Sequence, residues 1–133
     1  MIKILFALSS LLILLNACNQ IKVSQLSVEY LNNNTGVDAK QPRLSWKLKS
    51  KQKNVQQSAY EIRVGKDLAS LTQNSQLVWQ TGKVLSNESL QSVYQGKPLQ
   101  PGQKYYWQVR VWDNMGKPSD WSTIANWQMG LLN

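Results

Sequence analysis

The chain has 133 residues, a formal net charge of +8, one cysteine and no histidine. This length favours a single domain that buries its own core without a disulfide framework or a metal. The missing imidazoles exclude a serine–histidine triad, a cysteine–histidine pair and the common zinc and copper sites. We therefore expect no metal and no cofactor, and only a carboxylate pair among the 7 acidic residues is left for hydrolysis.

The first twenty residues have the architecture of an export signal. A basic start at Lys3 precedes an apolar run over residues 4–15. This run is too short to span a bilayer, for which about 20 residues are needed. A plain signal peptide followed by an incidental cysteine, or an N-terminal core helix, are the alternatives to a lipoprotein signal.

The apolar run ends at Leu15-Asn16-Ala17-Cys18, which resembles the lipobox of bacterial lipoproteins. That resemblance implies cleavage before Cys18 and lipidation of its sulfur. Residues 1–17 are then a lipoprotein signal peptide and residues 18–22 a lipidated tether. The chain is expected to be an exported lipoprotein of the cell envelope, with the membrane as a partner through the lipid anchor.

After this segment, short runs of alternating apolar and polar residues are separated by turn residues. They predict seven β-strands at about residues 26–30, 44–48, 60–64, 78–81, 89–94, 105–111 and 124–129. Only residues 67–71 favour a helical turn. Strands of this length and spacing are typical of an immunoglobulin-like fold. We therefore predict an all-β, immunoglobulin-like or fibronectin type III-like β-sandwich of about seven strands, over residues 23–132.

The strongest predicted strand follows a turn with a specific side-chain pattern. Pro and Gly in Leu99-Gln100-Pro101-Gly102 set the turn, and the hydroxyl of Tyr105 can cap it in a tyrosine corner. Residues that share a face with Tyr105, together with two tryptophans from other strands, are predicted to be core: Trp107, Val109, Val111, Trp46 and Trp127.

The outer face of the same strand carries Tyr106, Arg110 and Trp112, and Trp121 comes from the neighbouring segment. These four residues are the candidate site. Exposed rings could stack on sugars, or Arg110 could lie between the two indoles in a cation–π ladder. An interdomain contact is the third interpretation, because exposed aromatic patches mark interfaces. The ladder and the interface are favoured over sugar binding.

No catalytic residue is predicted. Asp113 and Asp120 flank one turn, and an inverting glycosidase needs two carboxylates about 6.5–9.5 Å apart. Aspartates in turns commonly bond to local backbone amides, so we expect Asp113 to cap its turn and Asp120 to lie in a loop. The lysines are scattered rather than arranged in a stripe with aromatic residues, so nucleic acid is not expected as a partner.

Eight short sequence segments, in this order and at these distances, resemble the N-terminal fibronectin type III-like domain of bacterial α-L-rhamnosidases, glycoside hydrolase family 78. They lie at residues 28–31, 36–38, 42–46, 57–62, 79–84, 105–113, 119–122 and 129–132. The resemblance implies a non-catalytic module of an enzyme that hydrolyses terminal α-L-rhamnose with inversion. Enzymes of this family carry their acid and base carboxylates in an (α/α)6 barrel, for which the chain has no matching position.

The resemblance therefore implies a chain that stops before the catalytic barrel and is inactive alone. Its implied partners are the remaining domains of a rhamnosidase, or a similar β-sandwich surface, and a rhamnose-containing glycan. A free-standing carbohydrate-binding or interaction lipoprotein is the alternative.

Overall fold

The computed structural model describes residues 20–30 and 34–132. They form eight strands and one helix: β1 (Lys22–Val28), β2 (Arg43–Lys49), β3 (Gln57–Gly65), α1 (Leu68–Gln73), β4 (Trp79–Gln80), β5 (Val84–Leu85), β6 (Ser92–Val93), β7 (Lys104–Asp113) and β8 (Ala125–Gln128). Within these two ranges, no helix is long and apolar enough to cross a membrane. The predicted signal peptide and Cys18 lie outside the described residues.

Two antiparallel sheets pack face to face. The smaller has the order β1-β2-β6, and the larger has the order β4-β3-β7-β8, with β5 also paired to β3. The longest pairing joins β3 to β7, from Gln57 opposite Asp113 to Gly65 opposite Tyr106. The predicted immunoglobulin-like β-sandwich is thereby confirmed.

Alternation along the strands builds the core between the two sheets. The inward residues of β2, β3 and β7 are at most 1% exposed: Leu44, Trp46, Ile62, Val64, Trp107, Val109 and Val111. Trp127 of β8 is fully buried against the same cluster. The core residues predicted from alternation are confirmed, because a period of two places every second side chain between the sheets.

A buried side-chain amide forms hydrogen bonds with polar groups at the edge of this core. The side chain of Gln57, a residue that is 5% exposed, accepts a hydrogen bond from Nε1 of Trp46 at 3.0 Å. Its Nε2 donates to the backbone carbonyls of Ser86 and Glu88 at 3.0 and 2.8 Å. The amide therefore joins β2, β3 and the segment between β5 and β6 without leaving a polar group unpaired.

The short elements differ in detail from the prediction. Strand β5 was not predicted, because two residues give no detectable alternation, and the strand expected at residues 89–94 is limited to Ser92–Val93. The helical turn expected at residues 67–71 is α1, which begins after Asp67, whose Oδ1 accepts from the Ser70 amide at 2.8 Å. An N-cap of this kind explains where the helix starts.

The first strand of the sandwich starts within one residue of the expected domain boundary at residue 23. Strand β1 starts at Lys22, and Ile21 is only 3% exposed within the core cluster. Lys22 pairs with Lys49, at the end of β2. The fold therefore takes up the last residues of the segment predicted to be a tether.

The tyrosine corner lies between the turn at Gly102 and the start of β7. The Tyr105 hydroxyl accepts a hydrogen bond from the Gln100 amide at 2.8 Å, while Gly102 has a φ of 70° that favours glycine. The ring of Tyr105 is 3% exposed and lies 5.5 Å from that of Trp127. The corner predicted from the sequence is confirmed, and it attaches the turn to the core.

Replacing Tyr105 by phenylalanine keeps the buried ring and removes the acceptor for the Gln100 amide. We expect Tyr105→Phe to lower the free energy of unfolding by about 1 kcal/mol, the usual contribution of a neutral hydrogen bond. Urea denaturation followed by tryptophan fluorescence measures it. Tyr106→Phe is the matched control, because the Tyr106 hydroxyl bonds to none of the described residues. Equal losses in the two variants would contradict a stabilising corner.

Candidate functional site

The candidate site lies on the outer face of the larger sheet, where β3 pairs with β7. Glu61 of β3 lies opposite Arg110 of β7, and Ala59 lies opposite Trp112. Directly opposed residues in an antiparallel pair point to the same face, so these side chains meet.

Three cations and two indoles form what we name the cation–π ladder: Lys83, Trp112, Arg110, Trp121 and Arg63. The guanidinium carbon of Arg110 lies 4.9 Å from the ring centroid of Trp112 and 4.8 Å from that of Trp121. Nζ of Lys83 lies 4.9 Å from the Trp112 centroid, and the Arg63 guanidinium carbon lies 4.0 Å from the Trp121 centroid. All four distances are within the range of favourable cation–π contact, about 6 Å.

One carboxylate neutralises the centre of the ladder. Nε of Arg110 donates to Oε1 of Glu61 at 3.1 Å, and a terminal guanidinium nitrogen reaches the same oxygen at 3.0 Å. The Glu61 side chain is 9% exposed and that of Arg110 is 32% exposed. The carboxylate of this pair is shielded from solvent, so loss of Arg110 would leave an unpaired buried charge on Glu61.

Arg63 is held without a carboxylate partner of its own. Its Nε is buried and has no hydrogen-bond acceptor in the described part of the chain. Burial lowers the pKa of Arg63 below its ordinary value, nearby Arg110 acts in the same direction, and Glu61 opposes both. An arginine remains charged at neutral pH despite such a shift, so stacking on Trp121 is its main stabilising contact.

Two serines position Trp121 beside the sheet. The Ser119 and Ser122 hydroxyls accept hydrogen bonds from the β7 amides of Val111 and Val109, each at 3.0 Å. The amides of the same two serines donate to the carbonyls of these valines at 2.7 and 2.8 Å. The segment therefore follows the edge of β7, with Trp121 over the two arginines.

The four candidate residues do not all meet. Arg110, Trp112 and Trp121 are in the ladder, whereas Tyr106 lies four residues from Arg110, about 13 Å along the strand. Trp112 is only 9% exposed, so the expectation of an exposed ring there is wrong. A sugar that stacked on Trp112 or Trp121 would compete with the cations already over these rings.

Sequence reasoning missed Lys83 and the pairing of Glu61 with Arg110. Lys83 lies in the turn between β4 and β5, and only the pairing of these strands to β3 brings it to the site. In the sequence, Glu61 and Arg63 alternate with the apolar residues of the strand predicted at residues 60–64. The pairing register of β3 with β7, which the pattern does not encode, selects their partners.

The two candidate carboxylates, Asp113 and Asp120, lie in different surroundings. Oδ1 of Asp113 accepts from the amides of Met115 and Lys117 at 2.8 and 2.9 Å, which confirms that Asp113 caps its turn. Asp120 is exposed in the following loop. Among residues 20–30 and 34–132, no group of three or more acidic, cysteine or histidine side chains could hold a metal ion.

Sequence and structure comparisons agree on relatives of this domain. The family model described as the Rha78A-like, N-terminal immunoglobulin domain matches residues 23–133. An alpha-L-rhamnosidase from Streptomyces avermitilis is 43% identical over 112 residues, which are 84% of this chain and 11% of the relative. One from Formosa agariphila is 35% identical over 138 residues, with 98% of this chain and 14% of the relative covered.

Solved structures resemble the sandwich equally well. The Streptomyces avermitilis alpha-L-rhamnosidase complexed with L-rhamnose has a TM-score of 0.79 at 42% identity, over 84% of this chain and 11% of that chain. The alpha-L-rhamnosidase from Dictyoglumus thermophilum has a TM-score of 0.80 at 40% identity, and the match covers 84% of this chain and 12% of that chain. The chain therefore spans about a tenth of the length of these relatives.

Removing the ion-pair partner of Glu61 should lower the free energy of unfolding. We expect Arg110→Met to lower the free energy of unfolding by about 2 kcal/mol, less than for a fully buried pair because Arg110 is partly exposed. Urea denaturation measures the change, and Lys104→Met, an exposed cation on the same strand, is the control and should change stability by less than about 0.5 kcal/mol.

A double variant separates the energy of the ion pair from the other effects of the two substitutions on stability. Glu61→Gln combined with Arg110→Met should cost less than the sum of the two single changes, because no charge is left buried alone. Strict additivity would show that the two side chains are not coupled.

Proposed function

Because the chain belongs to the family of Rha78A-like N-terminal immunoglobulin domains, we propose that it serves as a non-catalytic module of an α-L-rhamnosidase. In this proposal, other domains of that enzyme hydrolyse terminal α-L-rhamnose from glycans or glycosides. The observation that carries it is the family match over nearly the whole sandwich, combined with coverage of only 11% of a relative that is 43% identical.

The use of the carboxylates supports a non-catalytic role. Glu29 forms an ion pair with Arg43 at 2.8 Å, and its hydrogen bonds to Arg43 lower the pKa of the Glu29 carboxyl. Glu61 pairs with Arg110, and Asp113 caps a turn. A general acid needs a raised pKa in a desolvated cleft, whereas the pKa of Glu29 is lowered and the other two carboxylates are engaged in an ion pair and a turn.

The remaining domains of the enzyme are the proposed partners, and the end of the sandwich where β8 finishes is the proposed contact. There the Gly130 amide donates to the Val37 carbonyl at 2.8 Å, and the Gly102 amide donates to the Gly130 carbonyl at 3.2 Å. The next residue, Leu131, is 81% exposed. A fixed backbone followed at once by an exposed apolar side chain suits an interdomain contact.

The lipid anchor at Cys18 belongs to the same proposal. Residues 1–17 would be removed as a lipoprotein signal peptide, which places the acylated chain on the cell envelope. Only Asn19 and Gln20 separate Cys18 from the buried Ile21, so the anchor would hold the sandwich close to the bilayer. This entry point lies at the opposite end of the sandwich from Leu131, because β1 starts beside the end of β2 and β8 ends beside the start of β7.

Catalysis by the chain alone is tested with an aryl α-L-rhamnoside. We expect the purified chain to release no aryl alcohol above the buffer background, because its paired and capped carboxylates supply no acid–base couple. A continuous absorbance assay measures release. Turnover that is lost in an Asp120→Asn or Glu88→Gln variant would overturn the non-catalytic role.

Lipidation is tested by metabolic labelling with radioactive palmitate in a bacterial host. We expect label on the full chain and membrane association of the product, and neither in Cys18→Ser, since the sulfur is the site of acylation. Ser24→Ala, an unrelated change near the anchor, should be labelled like the unchanged chain. Label retained in Cys18→Ser would contradict the anchor.

A further inference from the structure

A groove of about 720 Å³ opens at one edge of the sandwich, where β4 and β5 of the larger sheet approach β6 of the smaller sheet. Each of these strands has two residues, so little backbone pairing closes the sandwich here. The volume lies within the range of small-molecule sites, about 300–1,000 Å³. The groove is separate from the cation–π ladder, and none of the ladder residues lines it.

The lining of the groove has a distinct chemistry. Two half-buried aromatic rings, Tyr60 and Trp79, lie beside three exposed glutamines, Gln80, Gln91 and Gln95. No lysine or arginine lines it, although the chain has 15 such residues, and its one charged lining residue is Glu88. The lining therefore disfavours anions and offers ring faces together with paired donors and acceptors.

Two of the three glutamine amides of the groove are available to a ligand, while Nε2 of Gln91 already donates to the Tyr30 hydroxyl. The side chains of Gln80 and Gln95 make no hydrogen bond with the described residues, and neither does the Glu88 carboxylate. By contrast, the Thr81 hydroxyl in the same wall already accepts from the Ile62 amide at 2.9 Å and donates to the Gly82 carbonyl at 2.7 Å. The groove thus combines hydroxyl groups already bonded within the protein with exposed polar side chains that have no protein partner, such as Gln80 and Gln95.

We propose that this groove binds a neutral saccharide. Sugar rings have apolar faces that pack on aromatic side chains, and their hydroxyls both donate and accept, as glutamine amides do. The inference rests on the lining alone. A chain that binds no saccharide can still be a module of a larger enzyme, so the two proposals fail separately.

Titration of the purified full chain with rutinose, cellobiose and digalacturonate tests the proposal. Calorimetry and intrinsic tryptophan fluorescence, to which Trp79 in the groove contributes, are the two measurements. We expect saturable binding of a neutral disaccharide and at least tenfold weaker binding of digalacturonate, because no cation lines the groove. The doubly substituted Gln80→Ala/Gln95→Ala chain should bind about tenfold more weakly or worse, since each neutral hydrogen bond contributes about fivefold.

The control is the doubly substituted Gln52→Ala/Gln73→Ala chain, in which two exposed glutamines outside the groove are removed. Its affinity should equal that of the unchanged chain, and circular dichroism should show that both variants are folded. The proposal is overturned by the absence of saturable binding to either neutral disaccharide, by equal weakening in the two variants, or by binding of digalacturonate as tight as that of the neutral ligands.

Discussion

The alignment of the two sheets depends on the buried amide of Gln57. Its three hydrogen bonds connect Trp46 in the smaller sheet, the start of β3 in the larger sheet, and the backbone of Ser86 and Glu88. A fully satisfied polar group inside an apolar core permits one arrangement and makes the others costly, because any shift leaves a buried donor or acceptor unpaired. The position of the outer face of β3 and the opening of the groove beside Ser86 both follow from this arrangement.

The shortage of acidic residues explains the form of the cation–π ladder. The chain has fifteen lysines and arginines but only seven acidic side chains. Among the residues that the structure describes, only Glu29 and Glu61 form ion pairs. Indole faces take over as partners for Arg63 and Lys83, whose charges would otherwise lie unpaired against the sheet. Two of the six tryptophans, Trp112 and Trp121, thus serve as partners for cations in a strongly basic chain.

Long elements and local turns were predictable from the sequence, whereas contacts set by strand pairing were not. The buried face of β7 and the Tyr105 corner depend on neighbours within a few residues, and both were predicted correctly. Strands β4 and β6 were predicted with longer bounds and β5 was not predicted, because pairing with β3 or β2, and no local pattern, limits each of them to two residues. The position of Arg110 between two indoles was among the interpretations of the sequence. The burial of Trp112 was not predicted, because it depends on strand pairing. The groove combines residues from β3 and from segments far along the chain, and no motif brings these together.

The opposite positions of the entry at Lys22 and the exit after β8 have a mechanical consequence. A pull between the two ends acts along the strands, while the hydrogen bonds of β1 to β2 and of β7 to β8 run perpendicular to them. Such a load reaches all bonds of a ladder together instead of opening them one after another. The two end strands belong to different sheets, so tension also presses on the packed core between them. The sandwich therefore has the geometry of a domain that resists extension when it is pulled from its two ends.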